Sequence, residues 1–420
     1  MNEPKHSAQD FLLAAKQAEI KAFQQLASSC ELTTRISALI HGLQRERGLS
    51  NGYLKSSGAR FAEQRDQQIK LCSDHENRFR QAMPLLAADS GPLADSSRLL
   101  SSIAFVLHKL DDLPAFRLKL QQLDLSAVEA THTFSTLIAG LLTVVFEAAD
   151  ISADPEITRA LVAMFNFMQG KEYSGQERAW GAIGFAAGKF EQIQLHRLKN
   201  LLHAQHRCFD VFVDFATGEQ TRLWTTIEQN PVNQNIEKLR KVLDQLQAEE
   251  PISEELSETW YELTTRRIDL MHQLEQRLSE HLLHLSELKL RQATSELKHY
   301  RNRLQALNAI KQPPPSPLTI QVEPADLNNS NTPELHHSIY QLLKDQTDRV
   351  QTLSAELAEA RQALTERKLV ERAKGLLMQY QNMTEEQAYR QLRVSAMENN
   401  QRLIDVAKKV IDAVSKVQSS

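Results

Sequence analysis

The residues best able to do chemistry lie near the C-terminal end. There Arg372, Lys374, Arg390, Arg393, Arg402, Lys408 and Lys409 outnumber the acids Glu371, Glu385, Glu386, Glu398 and Asp405. Such cations neutralise phosphates, and Tyr389 among them offers a ring on which a splayed base can stack, the usual manner of reading RNA loops. The alternative for each side chain is an ordinary solvated helix face. Two other polar clusters lie far upstream. In LQRERGLSNGYL, Gly48 and Gly52 are expected to kink or stop a helix and set Arg45, Glu46 and Arg47 beside exposed backbone amides. In KEYSGQERAWGAIGFAAGKF, Gln176, Glu177 and Arg178 open a glycine- and alanine-rich stretch that permits close helix packing. His203 with His206, and His281 with His284, are three apart on helices, but no third ligand is spaced to complete a metal site. No phosphate loop, nucleophile elbow or HExxH motif is present, so neither catalysis nor a cofactor is expected.

Three short helices must position the basic face. The first, 369–380, carries Val370, Ala373, Leu376, Leu377 and Tyr380 at helical spacing. Thr384 is placed to cap the second while Gln387 reaches back, with Met383 and Ala388 closing over the turn. That helix presents Ala388, Leu392 and Ala396. After Asn399 and Asn400, the third presents Leu403, Val406, Ala407, Val410, Ile411 and Val414. Upstream, Leu343, Val350, Leu357 and Leu364 recur every seventh residue, which predicts a parallel dimeric coiled coil over 334–368. A lone helix packed on its own bundle is the alternative. The Pro-, Asn- and Ser-rich segment 311–333 reads as a linker.

The remaining residues, 1–310, read as helical bundles. An amphipathic helix from Gln9 ends at the Gly48 region, and others cover Ala59 to Ala87, Leu93 to Leu110, Ala115 to Leu123 and Ser126 to Ala149. Asp154-Pro155 is a cap followed by proline at the first helical position. Further helices run from Phe190 to Thr217, onward to Gln229, and from Val232 to Gln247, before an almost unbroken rod from Pro251 to about Ile310. With 13 Gly, 13 Pro and 41% hydrophobic residues in 420, an all-α soluble chain is expected. The net charge of -4 requires any nucleic-acid binding to be local. Cys30, Cys72 and Cys208 are isolated, as reduced cytoplasmic thiols would be. No signal peptide is visible at the N-terminus, and the longest apolar run, Phe134 to Phe146, is shorter than the roughly 20 residues of a membrane helix, so it is expected to be a buried helix.

The string VERAKGLLMQYQNMTEEQAYRQLRVSAMENNQRLIDVAKKVIDA resembles, almost end to end, the ANTAR domain of bacterial antitermination regulators, which binds RNA. Ala373, Gly375, Leu376, Met378, Met383, Thr384, Ala388, Leu392, Ala396, Met397, Leu403, Ala407 and Ile411 carry that resemblance, most of them as core. The order LQRERGLSNGYL, GQERAWGA and TWYELTTRRIDLM resembles the nitrate- and nitrite-sensing domain of bacterial signalling proteins, over roughly Leu32 to Leu290. That family folds as two helical bundles with the anion between them. The resemblance implies that Arg47 and Arg178 hold nitrate, with Gly48 supplying an amide and a third arginine drawn from Arg240, Arg266 and Arg267, of which Arg240 is favoured. A guanidinium fork matches two oxygens of a planar anion better than an ammonium does. The alternative is that these arginines form ion pairs with Glu46, Glu177 or Glu237.

Together the two resemblances imply a cytoplasmic, homodimeric, nitrate- or nitrite-responsive antiterminator. It would comprise a sensor of two bundles over 1–310, a linker, a coiled coil, and a three-helix RNA-binding domain over 369–420 that binds leader mRNA hairpins of a nitrate assimilation operon. A coiled-coil interaction scaffold and a DNA-binding helical regulator are the rival readings.

Overall fold

A computed structural model describes residues 8–87, 97–150, 152, 154–310 and, within 357–418, all but a scatter of positions. The expected linker, the heptad positions Leu343, Val350 and Leu364, and the turn residues Tyr380, Thr384, Asn399 and Asn400 lie outside the described residues. Every regular element among the described residues is helical.

Helix α1 (Ala8–Lys55) packs against α2 (Ala62–Ala87), α4 (Ala127–Asp150) and α9 (Leu256–Ile310), while α3 (Ser97–Gln121) lies on α4. Its apolar stripe Leu32, Ile36, Leu39, Ile40 and Leu43 is fully buried, at helical spacing. This overrides the expected break: α1 runs straight through Gly48 and Gly52. A glycine inside a helix costs about 1 kcal/mol relative to alanine, less than burial of one leucine side chain contributes. The same reason joins the two helices expected around Pro114 into one, because Leu110, Leu113 and Leu120 hold α3 together across the proline.

Helix α5 (Pro155–Ala186) begins where the Asp-Pro signal places it. The Asp154 carboxylate accepts from the Ile157 amide at 3.0 Å, and Pro155 needs no amide partner. Asp154→Ala is expected to destabilise the sensor by about 1 kcal/mol, read as a lowered urea midpoint. Helix α5 continues through the glycine- and alanine-rich stretch to Ala186. It pairs with α6 (Gln192–Phe215) and α9, and α7 (Gly218–Glu228) and α8 (Pro231–Gln245) pack on α9.

Two cores result. The larger joins α1–α4 to the first half of α5, the end of α6 and the middle of α9; the smaller gathers Phe185, Phe190, Ile236 and Trp260 from α5, the α5–α6 turn, α8 and α9. Helices α5 and α9 pass through both. Helix α4 is long and apolar enough to cross a membrane, yet Phe134, Ile138, Leu141 and Val145 are buried against its neighbours.

A third core joins residues 372–378 to α10 (Glu385–Glu398) and α11 (Leu403–Gln418). It buries Ala373, Leu377, Ala388, Leu392, Ala396, Val406, Ala407 and Ile411, as the spacing predicts. Of the residues that carry the ANTAR resemblance, Met378 and Met397 are exposed.

Candidate anion site

Gln44, Arg47 and Ser50 recur at three-residue spacing on the face of α1 that meets α5 and α9. All three are completely buried. Arg47 donates from Nη1 to Glu172 Oε1 at 2.6 Å and from Nη2 to Oε2 at 3.2 Å, and its Nη1 also reaches Ser135 Oγ on α4 at 2.9 Å. Glu172 accepts two further bonds, from Gln44 Nε2 and Gln176 Nε2, each at 2.9 Å. Arg47 is therefore in an ion pair, but with Glu172 rather than Glu46, which turns to Arg117.

Arg178, two turns along α5, enters the same space. Its Nη1 donates to Thr265 Oγ1 at 3.1 Å and its Nη2 to the Gln44 carbonyl at 3.0 Å, while the guanidinium lies over the Tyr261 ring. Among the described residues it pairs with no carboxylate. Burial lowers its pKa, Tyr261 opposes this, and the Arg47 charge adds to the lowering. The guanidinium remains cationic at neutral pH because its starting pKa is so high. An unpaired buried cation is costly unless an anion joins it.

Both glycines beside these side chains are there for room. A Cβ on Gly48 would stand 2.9 Å from Arg178 Nη2, and one on Gly175 would stand 2.5 Å from Arg47 Nη2. Since Gly48 is inside α1, its amide belongs to the helix ladder and is not the free donor expected of a kink. Among the described residues, four buried polar atoms here have no hydrogen-bond partner: Arg47 Nε, Arg178 Nε, the Ser50 hydroxyl and Gln44 Oε1. The first three can donate, and two of those carry positive charge; the Gln44 oxygen only accepts. That is chemistry for a small oxyanion.

Arg240 is placed in a second polar cluster. Its Nε and Nη2 each donate to Glu177 at 2.7 Å, with Glu237 and Gln205 alongside. Arg267 joins the cluster through Gln205 Oε1 at 2.9 Å, and burial together with Arg240 lowers its pKa to about 10. Arg266 is exposed. Glu177 and Arg178 are adjacent in sequence and serve different clusters.

Sequence reasoning passed over Glu172, whose signal is a Lys171-Glu172 pair that follows the largely apolar run 160–168. It also passed over His41, His272 and Glu275, whose ligand atoms lie within 4.8 Å of one another beside Lys171. The two imidazoles stack face to face at 3.4 Å and 4°, so their in-plane lone pairs do not converge on one ion.

On the output side, Arg372, Arg390, Arg393, Arg402, Lys408 and Lys409 are exposed, Tyr389 is half-buried and Lys374 is buried. Arg402 pairs with Asp405 at 3.3 Å and Lys409 donates to Gln401 at 2.8 Å. Lys374, Tyr389 and Arg402 line a cleft of about 940 Å³ whose other wall is α4, α5 and α6. The Arg207 guanidinium of α6 stands 4.5 Å from the Tyr389 ring centroid. Ser135 and Gln176, which touch Arg47 and Glu172, also line this cleft.

Fold and site together define a class: an all-helical sensor with a buried cationic site, joined to a small basic output domain. The nitrate and nitrite sensing family matches residues 38–283, and the ANTAR domain matches residues 358–411. A nitrate regulatory protein of Klebsiella oxytoca is 34% identical over 404 residues, covering 96% of this chain and 94% of that protein. The solved structure of the NasR transcription antiterminator is 33% identical with a TM-score of 0.62, over 97% of this chain and 98% of that one. The chain belongs to the nitrate- and nitrite-sensing family and carries an ANTAR output domain.

Proposed function

We propose that this protein is a nitrate- or nitrite-responsive transcription antiterminator that binds leader RNA hairpins and prevents terminator formation, in the control of nitrate assimilation. The observation that carries the sensing half is Arg178, a buried guanidinium with no carboxylate partner among the described residues, beside the Arg47–Glu172 pair. A planar monovalent anion bound between Arg47 and Arg178 would supply the missing charge. Arg240 then acts from the neighbouring cluster through Glu177. The protein works without catalysis, in the cytoplasm, where its three buried cysteines stay reduced. Two copies pair through 334–368.

Nitrate controls the availability of the RNA-binding face. Tyr389 under Arg207, with Lys374 and Arg402 facing the sensor, is a masked arrangement, since a stacking ring already covered cannot receive a base. Ser135 and Gln176 link the anion site to the masking cleft. A shift of about 1 to 3 kcal/mol between docked and released states suffices for a switch. The test is RNA binding by the intact protein, with and without nitrate, using a leader hairpin and duplex DNA as competitor. Nitrate-enhanced hairpin binding that duplex DNA does not displace supports the reading, whereas nitrate-independent binding overturns it.

Masking makes a further prediction at Arg207. An exposed cation–π contact contributes about 0.5 to 1 kcal/mol, so Arg207→Ala is expected to raise RNA affinity without nitrate about two- to fivefold. Anisotropy of a labelled hairpin reads this, and the gain should vanish at saturating nitrate.

A further inference from the structure

The charge inventory of the anion site says which anions it accepts. Arg47 and Arg178 contribute two positive charges at 0% and 3% exposure, and the Glu172 side chain, 1% exposed, contributes one negative. Among the buried ionised neighbours, Lys171 pairs with Glu275 and Arg117 with Glu46, while Asp269, whose charge also acts on Arg178, is exposed to solvent that screens it. His41 is neutral, because burial and the nearby Lys171 charge hold its pKa far below the usual imidazole range. The site therefore carries one net positive charge. Its carboxylate is firmly held, with Arg47, Gln44 and Gln176 all donating to it.

We propose that Glu172 is the specificity-determining residue of the anion site, a fixed charge that admits monovalent oxyanions and excludes divalent ones such as sulfate. The proposal rests on the reading that Arg47 and Arg178 bind the anion. With Glu172 in place a monoanion brings the site to neutrality, whereas a dianion leaves an excess negative charge out of reach of water. Burial amplifies that difference, since charges there are poorly screened. Without Glu172, the same two guanidiniums carry two positive charges, which suits a dianion. Hydrogen-bond donors alone would not discriminate, because sulfate accepts from guanidinium as well as nitrate does.

The experiment uses the full-length protein, calorimetry, and nitrate and sulfate at matched ionic strength. The parent is expected to bind nitrate and to show no competition from sulfate. Glu172→Gln should gain competitive sulfate binding, so that the nitrate-over-sulfate preference falls at least tenfold. Glu172→Asp, which keeps the charge, should reject sulfate whatever its affinity for nitrate; a merely structural role would not sort the variants by charge. Circular dichroism checks folding. If Glu172→Gln does not fold, Glu172→Ala carries the same expectation without setting an amide nitrogen against the Arg47 guanidinium. Sulfate competing in the parent, or a folded charge-free variant that still rejects sulfate, overturns the proposal. Nitrate binding that survives Arg178→Ala unchanged is a different result, which removes the underlying site and not only its filter.

Discussion

Arg178→Ala is expected to weaken nitrate binding about ten- to a hundredfold without lowering the stability of the unliganded protein. The loss follows from removing charge-assisted hydrogen bonds, worth roughly 1.5 to 3 kcal/mol, at about 1.4 kcal/mol per tenfold in affinity. Stability is spared because the side chain removed is a buried cation whose neutral partners, Thr265 and the Gln44 carbonyl, offset its desolvation only in part. Arg47→Ala should also lose nitrate, but it strands Glu172 in the interior, and breaking a buried pair in this way costs about 3 to 5 kcal/mol. Nitrate titration and urea denaturation, run on both variants, separate a residue kept for ligand from one that also holds the fold. Equal destabilisation by the two substitutions would mean that Arg178 is an ordinary structural side chain. A destabilised ligand site of this kind is the usual trade of stability for function.

An equally large effect on the fold is expected at Glu177. Its carboxylate accepts two bonds from Arg240 and stands 3.8 Å from Arg267, so Glu177→Ala leaves the buried Arg267 guanidinium without its anion and Arg240 with Glu237 alone. A loss of about 3 to 5 kcal/mol in stability is expected, read as a fall in the urea midpoint. Burial pushes the Glu177 carboxyl up, but the Arg240 charge and its hydrogen bonds more than reverse this, and the folded-state pKa is lowered. The sign of the pH dependence follows: a depressed carboxylate contributes stability above its unfolded value, near 4.5, and that contribution is lost as pH falls through the lower folded value. The parent should therefore lose this increment below pH 4.5, and the gap between parent and variant should close there. A variant as stable as the parent at neutral pH would show that the two arginines are solvated in solution.

Much of this arrangement was legible in the chain. The spacing of Ala388, Leu392 and Ala396, and of Val406, Ala407 and Ile411, marks the output core because helical period and burial are the same signal there. Asp154-Pro155 marks the start of α5 because capping is local chemistry. The continuation of α1 through Gly48 and Gly52, and of α3 through Pro114, was not legible. Local propensity argues for breaks worth about 1 to 3 kcal/mol, and long-range packing on both sides of each position outweighs them.

At the site, the resemblance carried by RERGLS and GQERA points to Arg47 and Arg178, and the structure brings those two side chains to one space between α1, α5 and α9. Only the tertiary structure decided their partners. Glu46 and Glu177, each next to one of these arginines in sequence, are the natural candidates on paper. Consecutive helical residues point about 100° apart, however, so Glu46 faces Arg117 and Glu177 faces Arg240. The carboxylate that meets Arg47 comes from Glu172, 125 residues away, because two helices of unrelated sequence position pack face to face.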